Sequence, residues 1–202
     1  SGISSTLDSP HMTTPGRWRL QQFLARCVAN KCTHAVVEVS SFAIDQHRVW
    51  GIPFEVGVLT NIADHEHIDY HQTFENYKNT KLRFLDSCQQ KIFGPDLKKS
   101  DFKKILAASL LLGEFNARNV MVAAQVARLL HIGEEVIGKA VASFQLPSGR
   151  LEIVHRQPLV IVDFAHTPQA FAAVLPVVKK MGKKLIHVFG ATGNRDKSKR
   201  PI

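Results

Sequence analysis

Acids, imidazoles and hydroxyls crowd into one stretch of this chain, between Glu38 and Lys81. Glu38 ends an apolar run, His34-Ala35-Val36-Val37, and is followed by Val39, Ser40 and Ser41. Thr60-Asn61 then opens a polar burst that includes His65, Glu66, His67, Asp69, Tyr70 and His71, and Glu75-Asn76-Tyr77 precedes Lys81. Carboxylates and imidazoles at the tips of neighbouring strands are where α/β proteins keep ligands and metals. By itself Glu38 reads as a strand-end carboxylate in solvent. Alternating His65, His67, Asp69 and His71 on an extended segment could instead hold zinc, the chemistry of a metal-dependent hydrolase. One equivalent of bound Zn²⁺ would favour that hydrolase. Weak Mg²⁺ binding that tightens with nucleotide would favour a phosphoryl-handling enzyme.

The elements that must carry these residues follow from periodicity. Residues 34–39 and 55–60 read as strands, the first apolar enough to be covered on both faces. Before them, Leu20, Phe23, Leu24, Cys27 and Val28 fall at helical spacing and predict one buried face. Helices are expected over about 75–85, over 117–131 as a largely buried element, and over 134–144, with Val136, Ile137, Ala140, Val141 and Phe144 sharing a face. The lysine-rich stretch 86–108 carries no clear period. Leu146-Pro147-Ser148-Gly149 breaks the chain and marks the expected domain boundary, with residues 1–148 before it and 149–202 after. Beyond it lies a βαβ pattern: a strand at 159–163, a helix capped by Thr167 with Pro168 at its first position, and a strand at 184–189. Such strands are expected to pair in parallel through a right-handed crossover. Pro176 inside the helix is a cost to it.

Bulk properties narrow the function classes. The chain has 202 residues, 45% of them hydrophobic, a globular composition. No apolar run is long enough to span a bilayer. Ser1–Ser5 shows neither the basic stretch nor the apolar segment of a secretory leader. Cys27, Cys32 and Cys88 lack metal-site spacing and read as free thiols of a cytoplasmic protein. The net charge of +9 comes from 26 basic and 17 acidic residues. The bases are dispersed and not interleaved with aromatics, which argues against a nucleic-acid binder.

Eight blocks in order resemble the Mur ligases, and among them the branch that adds the third residue of the peptidoglycan stem peptide. They are Thr13-Thr14-Pro15; Glu38-Val39-Ser40-Ser41 with Asp45-Gln46-His47-Arg48; Thr60-Asn61 through His71; Glu75-Asn76-Tyr77 with Lys81; Gly113 through Asn119; Gly149-Arg150-Leu151-Glu152; Val162 through Pro168; and Phe189-Gly190 with Gly193-Asn194-Arg195-Asp196-Lys197. Each is weak alone; the ordered set is specific. The resemblance implies an α/β fold. Its first part would be most of a Mur ligase central domain, a parallel-rich sheet flanked by helices. The start of a Rossmann-like C-terminal domain would follow.

The implied activity is that of an ATP-dependent carboxylate–amine ligase. A UDP-N-acetylmuramoyl dipeptide carboxylate would be phosphorylated to an acyl phosphate, and the amine of a free amino acid would displace the phosphate. The cofactors implied are Mg²⁺ and ATP as co-substrate; the partners are the UDP-sugar peptide and the amino acid, with no nucleic acid, no membrane and a monomeric state. Glu38 and His67 match metal-binding positions, with His65 an alternative because the His65-Glu66-His67 cluster is one residue longer than the family spacing. Lys81 matches a lysine that the family carbamylates, which needs a desolvated amine. Thr13, Thr14, Ser40, Gln46 and Arg48 match positions that hold the UDP-sugar substrate, and a guanidinium suits a diphosphate. Asn116 and Asn119 match adenine-side asparagines, although Asn116 could equally cap its helix. Arg150, Asp163, His166 and Arg195 match residues that close over the nucleotide, and Phe164 stands where a tyrosine is commoner.

Three departures qualify the resemblance. No G-x-x-G-K-[ST] phosphate loop occurs in the 202 residues and it is expected upstream of Ser1. The stretch from Lys81 to Gly113 is shorter than in the family, so strands of the central sheet are expected to be missing or replaced. The D-N-P-R-type motif that selects the amino acid is absent as well. The 202 residues alone are therefore expected not to turn over ATP. Other readings remain open: another Mur-type amide ligase, related to cyanophycin or folylpolyglutamate synthetases; the zinc hydrolase; or a remnant that keeps the UDP-sugar surface without catalysis.

Overall fold

The structure, a computed structural model, describes residues 13–62, 68–182 and 184–190, with the side chains of residues 68 and 69 excluded. The chain divides into two compact units, Ser1–Lys91 and Ile92–Ile202.

In the first unit, helix α1 (Arg17–Ala29) buries Leu20 and Cys27, while Phe23 and Leu24 are half-buried. Val28, expected on the same face, is exposed, because the helix ends one residue later. The segment 34–39 is a clear departure from expectation. It pairs with no strand among the described residues, and Val36 is 96% exposed. Apolar, β-branched residues favour an extended backbone, but a ladder also needs a neighbour to supply N–H and C=O groups. The short helix α2 (Ser41–Asp45) begins where the Ser40 side chain accepts a bond from the Ala43 N–H. Strand β1 (Val56–Leu59) follows, alternating half-buried and buried residues as a strand with one face on a core should. Next come α3 (Ile68–His71) and α4 (Phe74–Asp86), the latter capped by the Thr73 hydroxyl on the Asn76 N–H. The helix expected at 75–85 is thus in place.

Strand β2 (Gln90–Phe93) neighbours β1, and its approach is set by Gln89 N–H and Gln90 N–H donating to the Phe54 and Glu55 carbonyls. Gly57 in β1 must be glycine: a Cβ there would lie 2.5 Å from Cys88 Sγ.

The second unit gives structure to the stretch that periodicity left open. Two 3₁₀ turns (Gly94–Asp96 and Lys99–Phe102) lead into α5 (Lys103–Ala108). Phe102 and Ile105 from that stretch pack with Val120, Met121 and Ala124 of α6 (Glu114–Leu129) and Ile137 of α7 (Glu134–Ser143). Over 117–131 most residues of α6 and its end are buried or half-buried, as expected, with Arg118, Asn119 and Ala123 among the exposed ones. In α7 only Ile137 is fully buried; Val136 and Phe144 point to solvent. The Arg128 guanidinium lies 4.4 Å from the centre of the Phe102 ring and pairs with Glu134 at 2.6 Å, tying α6 to α7 and to the turn before α5.

Strands β3 (Glu152–Arg156) and β4 (Leu159–Val162) form an antiparallel hairpin, and α8 (Pro168–Lys179) follows. The predicted Thr167 cap is present, its hydroxyl accepting from the Ala170 N–H at 3.2 Å. Residues 184–190 hold no assigned strand, so the expected parallel partner of β4 is not formed among the described residues. They meet α8 through aromatic contact instead, with His187 and Phe189 ring centres 4.9 and 5.6 Å from Phe171. The two-residue link between β3 and β4 suits an antiparallel hairpin, which needs only a short turn.

Candidate functional site

Each unit gathers one set of the residues singled out by the sequence. In the first unit the organiser is Thr14, which is fully buried. Its hydroxyl donates to the Glu38 carbonyl at 2.8 Å and accepts from the Ser40 N–H at 3.0 Å. The turn before α1 is thereby stitched to the segment that enters α2. Arg48 closes the cluster from the other side: Nη1 donates to the Thr14 carbonyl at 2.8 Å, and Nε donates to Gln46 Oε1 at 2.9 Å. Thr14, Ser40, Gln46 and Arg48 therefore form one hydrogen-bonded group spanning 34 residues of sequence. Thr13 is exposed, without such a bond.

A residue that sequence reasoning overlooked holds this loop. Arg17 Nε and Nη2 donate to the His47 carbonyl at 3.0 and 2.8 Å, and the guanidinium sits 5.4 Å from the Trp50 ring centre. His47 has a left-handed backbone, φ 52°, which directs the carbonyl and sets Gln46 and Arg48 on either side. No sequence signal beyond the Arg17-Trp18 start of the helix pointed to it.

Of the residues expected to bind metal, Glu38 and Lys81 fall among the described residues. Glu38 presents an exposed carboxylate with no ion pair among the described residues, chemically suited to a hard cation. His67 and its alternative His65 lie outside the described residues. Among the described residues no group of three or more His, Cys, Asp or Glu side chains could hold a metal.

Lys81 sits on α4 one turn after Tyr77, half-buried, with its ammonium 4.8 Å from the Tyr77 ring centre. His71 is buried, its ring 5.7 Å from Tyr77 and 4.9 Å from Tyr70. These are the surroundings of a core histidine. Tyr70 also donates to Asp45 at 2.7 Å, on the rim of a polar cleft of about 540 Å³ lined further by Asn76, Asn79 and Arg83.

The second unit brings Arg150, Asp163 and His166 together. Asp163 accepts from the Leu151 N–H at 2.9 Å and the Ala165 N–H at 2.7 Å, joining the turn before β3 to the loop after β4. Leu151 has φ 45°, and the Asp163 bond fixes that left-handed residue. Arg150 stacks its guanidinium 4.4 Å from the Phe164 ring centre, a contact that needs an aromatic face and no hydroxyl. His166 lies edge-on to the same ring at 5.0 Å, its Nδ1 3.0 Å from the Phe164 carbonyl. Arg195 lies outside the described residues.

Asn116 and Asn119 differ in burial. Asn116 is buried and its side-chain amide donates to the Leu112 carbonyl at 2.8 Å, a bond to the loop before α6 and not a cap, since α6 has no side-chain cap at Gly113; Asn119 faces solvent. Three residues of separation leave about 60° between them around the helix axis, enough to put one inside and one out.

Glu152 was quoted only as part of a motif, yet it anchors the Arg150 turn. Its Oε2 accepts from the Ser148 hydroxyl at 2.6 Å and the Gly149 N–H at 2.7 Å. These bonds, the Ser148 one foremost, hold its carboxyl below the ordinary glutamate range. A lowered carboxyl stabilises the fold above the ordinary range, and that contribution disappears as pH falls through the folded value. Hydrogen exchange at Gly149 is expected to accelerate below about pH 4, beyond its intrinsic pH trend, and Glu152→Gln should remove that extra acceleration.

The comparisons with known proteins agree with this geometry. The Mur ligase middle domain family matches residues 1–94, and the Mur ligase, glutamate ligase domain family matches residues 149–202. The UDP-N-acetylmuramoyl-L-alanyl-D-glutamate–2,6-diaminopimelate ligase of Helicobacter pylori is 32% identical over 234 aligned positions, covering 94% of this chain and 52% of the relative. The enzymes of the same name from Cytophaga hutchinsonii and Parabacteroides distasonis are 33% and 34% identical, each over 94% of this chain and 48% of the relative. The chain thus spans about half the length of the curated relatives it matches. A solved structure of a ligase with that name superposes with a TM-score of 0.64 at 25% identity, over 96% of this chain and 50% of its own. With two domain matches in family order and the Thr14–Ser40–Arg48 and Arg150–Asp163–His166 groups each assembled, this polypeptide belongs to the Mur ligase family.

Proposed function

We propose that the chain is part of an ATP-dependent ligase that adds the third amino acid to UDP-N-acetylmuramoyl-dipeptide in peptidoglycan biosynthesis, working as a cytoplasmic monomer. The names of the relatives, all diaminopimelate ligases, support that amino acid over others. The observation that carries the reading is the Thr14–Ser40–Gln46–Arg48 hydrogen-bonded cluster. In it a guanidinium is held beside hydroxyls and backbone amides, the donors that a nucleotide-sugar diphosphate requires. The start of the second family match at residue 149 supports a domain boundary there.

In this reading Arg48 and Ser40 orient the UDP-sugar, and Thr13 stands exposed at the edge of the same surface. Glu38, with His67, would hold Mg²⁺, which when bound neutralises phosphate charge. Lys81 would join them as a carbamate. Arg150, His166 and Arg195 would face the ATP phosphates, and Asp163 sets the turn that presents Arg150. The acyl-phosphate route asks these groups for positioning and charge stabilisation more than for covalent chemistry. Asn119, exposed, would meet the adenine side; Asn116 contributes by fixing the start of α6.

The test is a titration of the 202-residue protein with UDP-N-acetylmuramoyl-L-alanyl-D-glutamate, followed by amide NMR. Because the cluster is already formed, the amides of Ser40, Gln46 and Arg48 are expected to shift together and saturate even in the absence of turnover. Arg48→Ala should weaken binding about tenfold to a hundredfold, the worth of charge-assisted hydrogen bonds. Unchanged affinity in a folded Arg48→Ala protein, or no binding by the folded parent, would sink the proposal.

A further inference from the structure

Helix α1 ends in an arrangement that sets two thiols against each other. The Cys32 N–H donates to the Cys27 carbonyl at 2.9 Å, and the Lys31 N–H donates to the Val28 carbonyl at 2.9 Å. Lys31 is left-handed, φ 55°. This is a Schellman termination, in which the third residue from the helix end and the second residue beyond it meet side chain to side chain. Those two positions are Cys27 and Cys32. Both cysteines are free, Cys27 buried and Cys32 half-buried. Burial first, and then the neighbouring Cys32 thiol, push the Cys27 thiol above its ordinary range, as expected for sulfurs in direct contact.

We infer that Cys27 and Cys32 form a dithiol modification site that a low-molecular-weight disulfide converts into an internal Cys27–Cys32 bond. The exchange balances without any other reagent. The Cys32 sulfur, the more accessible, attacks the reagent and displaces one of its halves as a thiol, leaving a mixed disulfide on Cys32. The Cys27 sulfur then loses its proton, attacks Cys32 Sγ and releases the second half as a thiol. Two protein thiols are oxidised and one reagent disulfide is reduced to two thiols. The backbone hydrogen bond between the same two residues keeps the partners in reach of each other. Cys88 takes no part. It is buried, and its thiol donates to the Phe84 carbonyl at 3.4 Å. The turn so locked connects α1 to the segment that carries Glu38 and Ser40.

The experiment treats the folded 202-residue protein with oxidised glutathione, blocks free thiols with N-ethylmaleimide and maps tryptic peptides. Cleavage after Arg26 and Lys31 separates the two cysteines, so the internal bond appears as a linked pair of peptides. The linked pair is expected to predominate, with Cys88 alkylated only after unfolding. The urea-unfolded chain should need about tenfold more reagent to close the same bond. Cys27→Ser should stop the reaction at glutathione on Cys32. Cys32→Ser, a change at the accessible position, should leave Cys27 reduced. A stable glutathione adduct on Cys32 in the parent, bonds that include Cys88, or no reaction at either residue would each overturn the inference.

Discussion

Replacing Tyr77 with alanine is expected to cost the first unit about 3–5 kcal/mol, the range for removing a large buried aromatic ring. Tyr77 is fully buried, with its ring centre 5.7 Å from His71 and 6.4 Å from Phe74. Its face also carries the Lys81 ammonium. The alanine protein would lose the ring contacts and leave a cavity between α3 and α4. Since whole domains are stable by only about 5–15 kcal/mol, a loss of that size brings the unit close to unfolding. Urea denaturation should show a lower midpoint with an unchanged slope. A midpoint within experimental error of the parent would show that α4 does not depend on this ring. Tyr77→Leu, which refills part of the space, should recover some of the loss.

Thr14→Val should cost roughly 2–4 kcal/mol and abolish UDP-sugar binding, despite being nearly isosteric. The methyl fills the volume of the hydroxyl, so packing is kept. What disappears is the single atom that both donates to the Glu38 carbonyl and accepts from the Ser40 N–H. Both backbone groups are then left without that partner next to a buried side chain, and unpaired buried polar groups are the costly kind. Thr14→Ser keeps the hydroxyl and serves as the comparison. If Val and Ser behave alike in stability and in ligand titration, Thr14 is only filler before α1.

The two predictions bear on how much of the molecule could be read in advance. The helices at 17–29, 74–86, 114–129 and 134–143 follow from period and caps, and the Thr73 and Thr167 caps are ordinary chemistry placed by local sequence. Thr14, Ser40, Gln46 and Arg48 were legible as a substrate set only through the family resemblance; nothing in their spacing says that one hydroxyl joins positions 14, 38 and 40. Arg17 and Glu152 were missed because each acts on a backbone carbonyl or amide of a turn, and such bonds leave no residue-type signature. Asn116 and Asn119 were paired only through the family resemblance. The burial of α6 separates them, because the helix turns only one face to Phe102 and Ile105.

In the sequence alone, the resemblance of eight ordered blocks implied the family and the α/β class, and period indicated most helices, because helix periodicity is a local property. Tertiary structure decided the rest. It gave 34–39 no partner among the described residues, folded 159–162 back on 152–156, and ordered 94–108 around a phenylalanine. Strand pairing and side-chain burial are properties of neighbours brought together from afar, and a strand's own sequence does not name the neighbour that will take its hydrogen bonds.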